Sequence, residues 1–149
     1  MRSIRRVRHY FDMGSLSAAA SLQLPVELRG IRLGRPVDIL LDLDAWHALG
    51  FVVLCGDESR RFLPYAACQV QPSEIAVGSA LMLLEDAGFY EERGTSFRSL
   101  LDGEVQGGSL RDVLIGAGGA VTHLELERDG TIARVQAAGQ LVVPTRAAA

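Results

Sequence analysis

The chain reads as a mainly β protein built from two small, similar units, and three observations predict this. A segment recurs about seventy residues along the chain: Leu28-Arg29-Gly30, Gly34 and Asp38-Ile39-Leu40-Leu41 are echoed by Leu101-Asp102-Gly103, Gly108 and Asp112-Val113-Leu114-Ile115. The Gly-to-Asp intervals are eight and nine residues, so the copies align with one insertion, and self-similarity of this kind constrains architecture before any single residue does. Apolar and polar residues also alternate with period two through much of the chain, the mark of half-buried antiparallel strands. Finally, 149 residues are enough for one core or two small ones.

Composition narrows the class further. Apolar residues make up 48% and charged residues 22%, as in ordinary globular proteins, and a net charge of −3 offers no general attraction to nucleic acid or to a membrane. All fifteen basic residues are arginine, and asparagine is absent as well as lysine. Both missing types use codons that begin with two adenines, so a GC-rich bacterial genome explains the bias without any appeal to function. Two cysteines are too few for a disulfide framework, no apolar run is long enough for a membrane span, and no apolar stretch follows the basic start as a secretory signal requires. A reduced, cytoplasmic protein is expected.

Residues 1–25 form a basic extension expected to be flexible: Arg2, Arg5, Arg6 and Arg8 precede a small-residue stretch, Ser15 to Ser21, with little bulk to bury. From Val26, strands take over. Val37, Ile39, Leu41 and Leu43 share one face, with Asp38, Asp42 and Asp44 on the other. Asp44 to His47 turns the chain into Leu49–Cys55, Gly56 to Ser59 turns it again, and Arg61–Tyr65 follows, with Pro64 marking a strand end or edge. Ile75–Val77 is a short fourth strand. Ser79 suits a helix N-cap, which predicts a helix to Ala87, with a continued strand as the alternative. Phe89 to Ser99 is polar, so residues 79–99 read as a helical, acidic connector; residues 73–104 carry seven carboxylates against two arginines. In the second unit, Thr122, Leu124 and Leu126 alternate with His123, Glu125 and Glu127, and Asp129-Gly130 is a type I′ hairpin signal. Leu141 to Pro144 mirrors Phe62-Leu63-Pro64.

A Gly-x-x-x-Gly entry, an Asp-led apolar strand, a hairpin and an apolar-Pro strand follow one another here. This order resembles the PRC-barrel domain, a small β-barrel of the photosynthetic reaction-centre H subunit and of the bacterial factor that matures the small ribosomal subunit. Gly30, Gly34, Val37 to Asp42 and Arg61 to Tyr65 carry the resemblance in the first copy; Gly103, Gly108, Asp112 to Ile115 and Val143-Pro144 carry it in the second. It implies two PRC-type β-barrels in tandem, at residues 26–78 and 100–145, joined by a short helix or connector. It also implies a non-enzymatic family whose members dock onto larger assemblies.

No chemical motif competes with that implication. Asp38, Asp42 and Asp44 could pair as carboxylates or hold a hard cation, but a regular strand lacks the irregular backbone of a metal loop, so solvated strand charges are expected. Gly116 and Gly118 are followed by Val121 where a dinucleotide fingerprint needs its third glycine, and by a strand where it needs a helix, so this glycine stretch, Gly119 included, is expected to form a flexible hairpin. His9, His47, His123, Cys55 and Cys68 show no close ligand spacing for zinc. Cys55 closes an apolar run and is expected to behave as a small buried hydrophobe. Trp46 is expected to act as a lid over the core. Arg60-Arg61 beside Tyr65 could attract RNA, but Asp57 and Glu58 offset their charge. No catalytic, cofactor-binding or metal residue is therefore assigned, and no cofactor. The expected function is that of a protein-binding adaptor or assembly module whose partner is another protein or a second copy of the chain, acting through an exposed barrel edge or the apolar patch around Met82. An RNA-linked role in small-subunit maturation, with residues 1–8 as an electrostatic arm, is the alternative.

Overall fold

The computed structural model describes residues 15–144. The electrostatic arm expected at residues 1–8, and the flexible extension as far as residue 14, therefore lie outside the described residues, as does His9. Two curled, mainly antiparallel sheets dominate, so the mainly β class holds.

One sheet contains β2 (Val26–Leu28), β3 (Ile31–Asp42), β4 (His47–Cys55), β5 (Arg60–Pro64), β6 (Cys68–Val70) and β7 (Ile75–Val77). Its order is β5-β4-β3-β2-β7-β6, and only β2 and β7 run parallel. The other sheet contains β9 (Glu104–Val105), β10 (Gly108–Gly116), β11 (Val121–Arg128) and β12 (Thr131–Gln136). Three hairpins close on two residues that both have positive φ: Arg29-Gly30, Gln106-Gly107 and Asp129-Gly130. That is the type I′ geometry expected for Asp129-Gly130. Gly30 sits at such a tip whereas Gly103 does not, so the Gly30/Gly103 correspondence fails and Gly107 is the tip residue.

Each sheet also takes a short strand from the far part of the chain. β1 (Ser15–Ser17) pairs with β10, and β8 (Thr95–Ser96) pairs with β3. Each leads directly into a four-residue helix, α1 (Ala18–Ser21) or α3 (Phe97–Leu100), capped by the strand's last serine. Two expectations are corrected here. Residues 15–21 are docked, because small side chains let the segment lie flat against β10 with Ala18 fully buried. The polar connector ends in a strand and helix, because Phe97 and Leu100 plug the core between otherwise polar neighbours.

The predicted helix from Ser79 is corrected as well. Ser79 does cap, accepting the Leu81 N–H (3.1 Å), but only a 3-10 turn, Ala80–Met82, follows. Leu84 then pairs with Phe62 on the edge of β5, and α2 (Ala87–Glu91) starts at Asp86, whose φ of 61° breaks the chain direction. Leu141 to Pro144 forms one bridge, Val143 to Glu104, and no strand.

The main hydrophobic cluster draws on both sheets: Ile39, Phe51 and Leu63 from one, Leu110, Leu124 and Leu126 from the other, all fully buried. Trp46 is part of it, as the lid expectation required, and its carbonyl accepts the Val121 N–H (2.8 Å), tying the two sheets together. A smaller cluster on the outer face of β3–β5 joins Leu40, Val52, Phe62 and Ala87, with Tyr90 stacked on Phe62 at 4.1 Å. Among the described residues, no helix is long and apolar enough to cross a membrane.

Candidate functional site

The residues flagged from sequence disperse into structural roles. β3 and β10 are irregular at corresponding places: the register with the next strand shifts between Pro36 and Asp38, and between Leu110 and Asp112. A bulge re-aims the side chain that follows it. Asp38 is therefore no solvated strand charge. It accepts the Ser96 hydroxyl, the Arg98 N–H (3.1 Å) and its neighbour's Ile39 N–H (2.8 Å). Asp42 caps a turn through the Asp44 and Ala45 N–H groups at 3.0 and 3.2 Å. Asp38 and Asp42 thus serve backbone and serine donors at separate places, and Asp44 is exposed, as expected of a solvated charge.

The glycine loop does connect the β10–β11 hairpin, as expected, through a 3-10 turn (Ala117–Gly119), and His47 contacts its Gly118 carbonyl at 2.9 Å. His123 is partly buried and meets the Thr122 hydroxyl at 3.0 Å. Cys55 and Cys68 are free thiols. Burial pushes the Cys68 thiol up to about 12, and burial also raises Cys55, against the opposing pull of Arg61. Neither thiol is activated for nucleophilic attack. Among the described residues, no three His, Cys, Asp or Glu side chains converge as metal ligands. Arg60 pairs with Glu91 at 2.7 Å, Arg61 lies 3.7 Å from Glu85, and Tyr65 stacks on Phe51 at 5.9 Å.

A different place gathers the features of a binding surface. The two ends of the larger sheet are β5 and β6. Leu84 occupies the outer edge of β5 through reciprocal bonds with Phe62 (2.9 and 2.8 Å), whereas no described strand pairs beyond β6. Beside that open edge lies a groove of about 500 Å³, floored by Ala66, Ala67, Ala76, Val77 and Gly78 and walled by Met82. Leu81 and Met82 are 85% and 40% exposed, large apolar side chains presented to solvent by the short turn that Ser79 caps. The floor is shallow because its side chains are small, which leaves room for a bulkier side chain from outside.

Two carboxylates lie further into the sheet, away from the β6 edge. Cross-strand partners share a sheet face, and Gln69, Ala76 and Glu27 lie in one row across β6, β7 and β2. Glu74, just before β7, meets Glu27: desolvation, repulsion from the Glu27 carboxylate and a hydrogen bond between the two carboxyls raise the Glu74 pKa above its ordinary value. The sequence points to Met82 but to neither Glu27 nor Glu74. The small alternate residues Ala76 and Gly78 on a strand's outward face were the available signal; the meeting of Glu27 with Glu74 depends on the parallel β2–β7 pairing, which no local pattern encodes.

No protein-family model matches this chain, and no curated protein matches it.

Proposed function

We propose that this protein is a non-catalytic module of the PRC-barrel type that binds another protein by accepting an extended segment along β6. Each curled sheet with its borrowed strand would represent one barrel-type unit, the two sharing a single core. The observation that carries the reading is the open β6 edge beside an apolar groove with Leu81 and Met82 exposed. An unpaired strand offers a row of backbone donors and acceptors, and adjacent pockets read the side chains of an added strand. Binding without catalysis fits the raised cysteines and the structural use of Asp38, Asp42 and His47. A protein partner is favoured over RNA because Arg60 and Arg61 already face carboxylates and Tyr65 lies against Phe51. A cytoplasmic place of action goes with this reading.

The test is affinity purification of a tagged copy at near-native expression, alongside Met82→Ser. A protein retained in high salt by the wild type and lost by the variant supports the reading. Ribosomal subunits that dissociate steeply with salt would replace it with the RNA-linked role.

A further inference from the structure

We infer that a second groove, separated from β6 by β2 and β7, binds a small phosphate monoester. This goes beyond the β6 reading and does not depend on it. The groove, of about 300 Å³, lies where β3 begins and β4 ends, lined by Arg32, Leu33 and Arg35 of β3, by Leu54 and Cys55 of β4 and by Gly56. Gly56 leaves the rim bare, with free space where a Cβ would stand. Ten arginines and seventeen carboxylates lie within residues 15–144. Seven of those arginines meet a carboxylate, a backbone carbonyl or the Gln106 side chain. The three that meet no acceptor among the described residues are Arg29, Arg32 and Arg35, all exposed and all within seven residues of one another at the start of β3. No carboxylate lines the groove. Glu27 stands opposite Arg32 across β2–β3 without an ion pair to it. Asp57, next to Gly56, is taken up by the Ser59 amide and hydroxyl and lies 3.9 Å from Arg61, and Glu58 stands exposed beyond it.

A guanidinium presents a planar fork of donors that matches an oxyanion, and it is only weakly hydrated. Two such forks line this groove. One carboxylate would satisfy one of them, whereas a phosphoryl group brings three acceptor oxygens and nearly two negative charges, enough for both. Arg29, at the β2–β3 hairpin tip, adds a third positive charge that favours a dianion's approach. The remaining lining is largely apolar, so Leu33 and Leu54 offer a resting place for an organic body joined to the phosphate. The volume stands at the small end of ligand pockets, which suits a phosphate carrying a single ring.

Titration calorimetry with the full chain tests this, using phenyl phosphate, inorganic phosphate, benzoate and a short oligouridylate as probes. Phenyl phosphate should saturate a single site and bind roughly tenfold more tightly than benzoate, the scale of one further charge-assisted hydrogen bond. It should also bind more tightly than inorganic phosphate, which lacks the apolar body. Arg32→Gln combined with Arg35→Gln should abolish this binding with the thermal midpoint unchanged, because both side chains are exposed. Arg134→Gln, on the other sheet, should leave it intact. Absence of saturable binding, binding that survives the double substitution, or benzoate equal to phenyl phosphate overturns the inference. Inorganic phosphate equal to phenyl phosphate overturns the monoester in favour of the free ion. Oligouridylate bound most tightly, with a steep salt dependence, overturns it in favour of an RNA backbone.

Discussion

Asp38 and Asp112 each accept three donors in the same arrangement. One donor is the next residue's own amide, Ile39 or Val113, both at 2.8 Å. Another is the hydroxyl of the serine that caps the docked helix, Ser96 or Ser17, and the third is the amide two residues beyond that serine, Arg98 at 3.1 Å or Ala19 at 3.0 Å. The side chains around these latches differ. Behind Ser96 comes Phe97, 1% exposed and among the largest buried residues, and the Arg98 guanidinium also donates to the Val37 carbonyl. Behind Ser17 comes Ala18, small and fully buried. Burial raises the Asp112 pKa, with Glu125 opposite it adding a like charge and the Ser17, Ala19 and Val113 donors pulling it down. The same carboxylate geometry can thus secure a bulky plug or a nearly bare backbone, and it must carry more of the docking where the plug is small.

Cutting the molecule between its latches is the harshest way to break the comparison. A fragment of residues 26–78 lacks β8 and α3 and half of the shared core. It should show no cooperative thermal transition by circular dichroism; a fragment as stable as the whole chain would remove the case for mutual dependence. Next, Phe97→Ala should cost about 3–5 kcal/mol in chemical denaturation, the usual loss for a buried aromatic. Ala18→Phe, which forces the bulky version onto the other latch, should cost about 1–3 kcal/mol by overpacking.

The aspartates separate by a smaller margin. Asp112→Ala should destabilise by about 1–3 kcal/mol, because it strands partly buried donors, and should speed amide exchange in Ser15–Ser21 selectively. Asp38→Ala should cost less, because Phe97 still anchors α3. pH sharpens the contrast. A folded-state pKa raised above 3.8 means that the folded protein holds this proton more tightly than the unfolded chain. The Asp112 contribution is then present below the ordinary carboxylate range and is lost as pH rises through the raised value. Urea midpoints of the wild type should accordingly fall relative to those of Asp112→Asn across that interval, and parallel curves would refute the link. Smallest are the caps: Ser17→Ala and Ser96→Ala should each cost about 0.5–2 kcal/mol by the same measurement, with Ser17 the larger.

The legible part of this fold was its local part. Alternation located β3 and β11, strand-preferring residue types located β4, turn chemistry located the Asp129-Gly130 hairpin, and Pro64 did end an edge strand. Gly34 and Gly108 also occupy matching places, each pressed so close to the neighbouring strand that a Cβ would meet a carbonyl oxygen, Leu54 at 2.5 Å and Glu127 at 3.1 Å. What escaped was everything decided at a distance. Ser15–Ser21 and Thr95–Leu100 look unpromising by composition, because their stability comes from a strand nearly a hundred or some fifty-five residues away and from an aspartate turned toward them by a bulge. The groove was half visible for the same reason: Met82 is a local feature, whereas the lining beside it exists only once β6 and β7 pair at the end of the sheet.

The crossed placement of β1 and β8 has a consequence for how the chain emerges from the ribosome. Ser15–Ser17 is made early, yet its pairing strand, Leu114–Gly116, is among the last structured segments to be synthesised. β3 likewise waits for Thr95-Ser96 before its edge at Leu40-Leu41 is covered. Throughout elongation the nascent protein therefore holds one orphan strand and one uncovered edge within reach of each other but belonging to different sheets. Premature pairing of the two is the error that slow translation would favour.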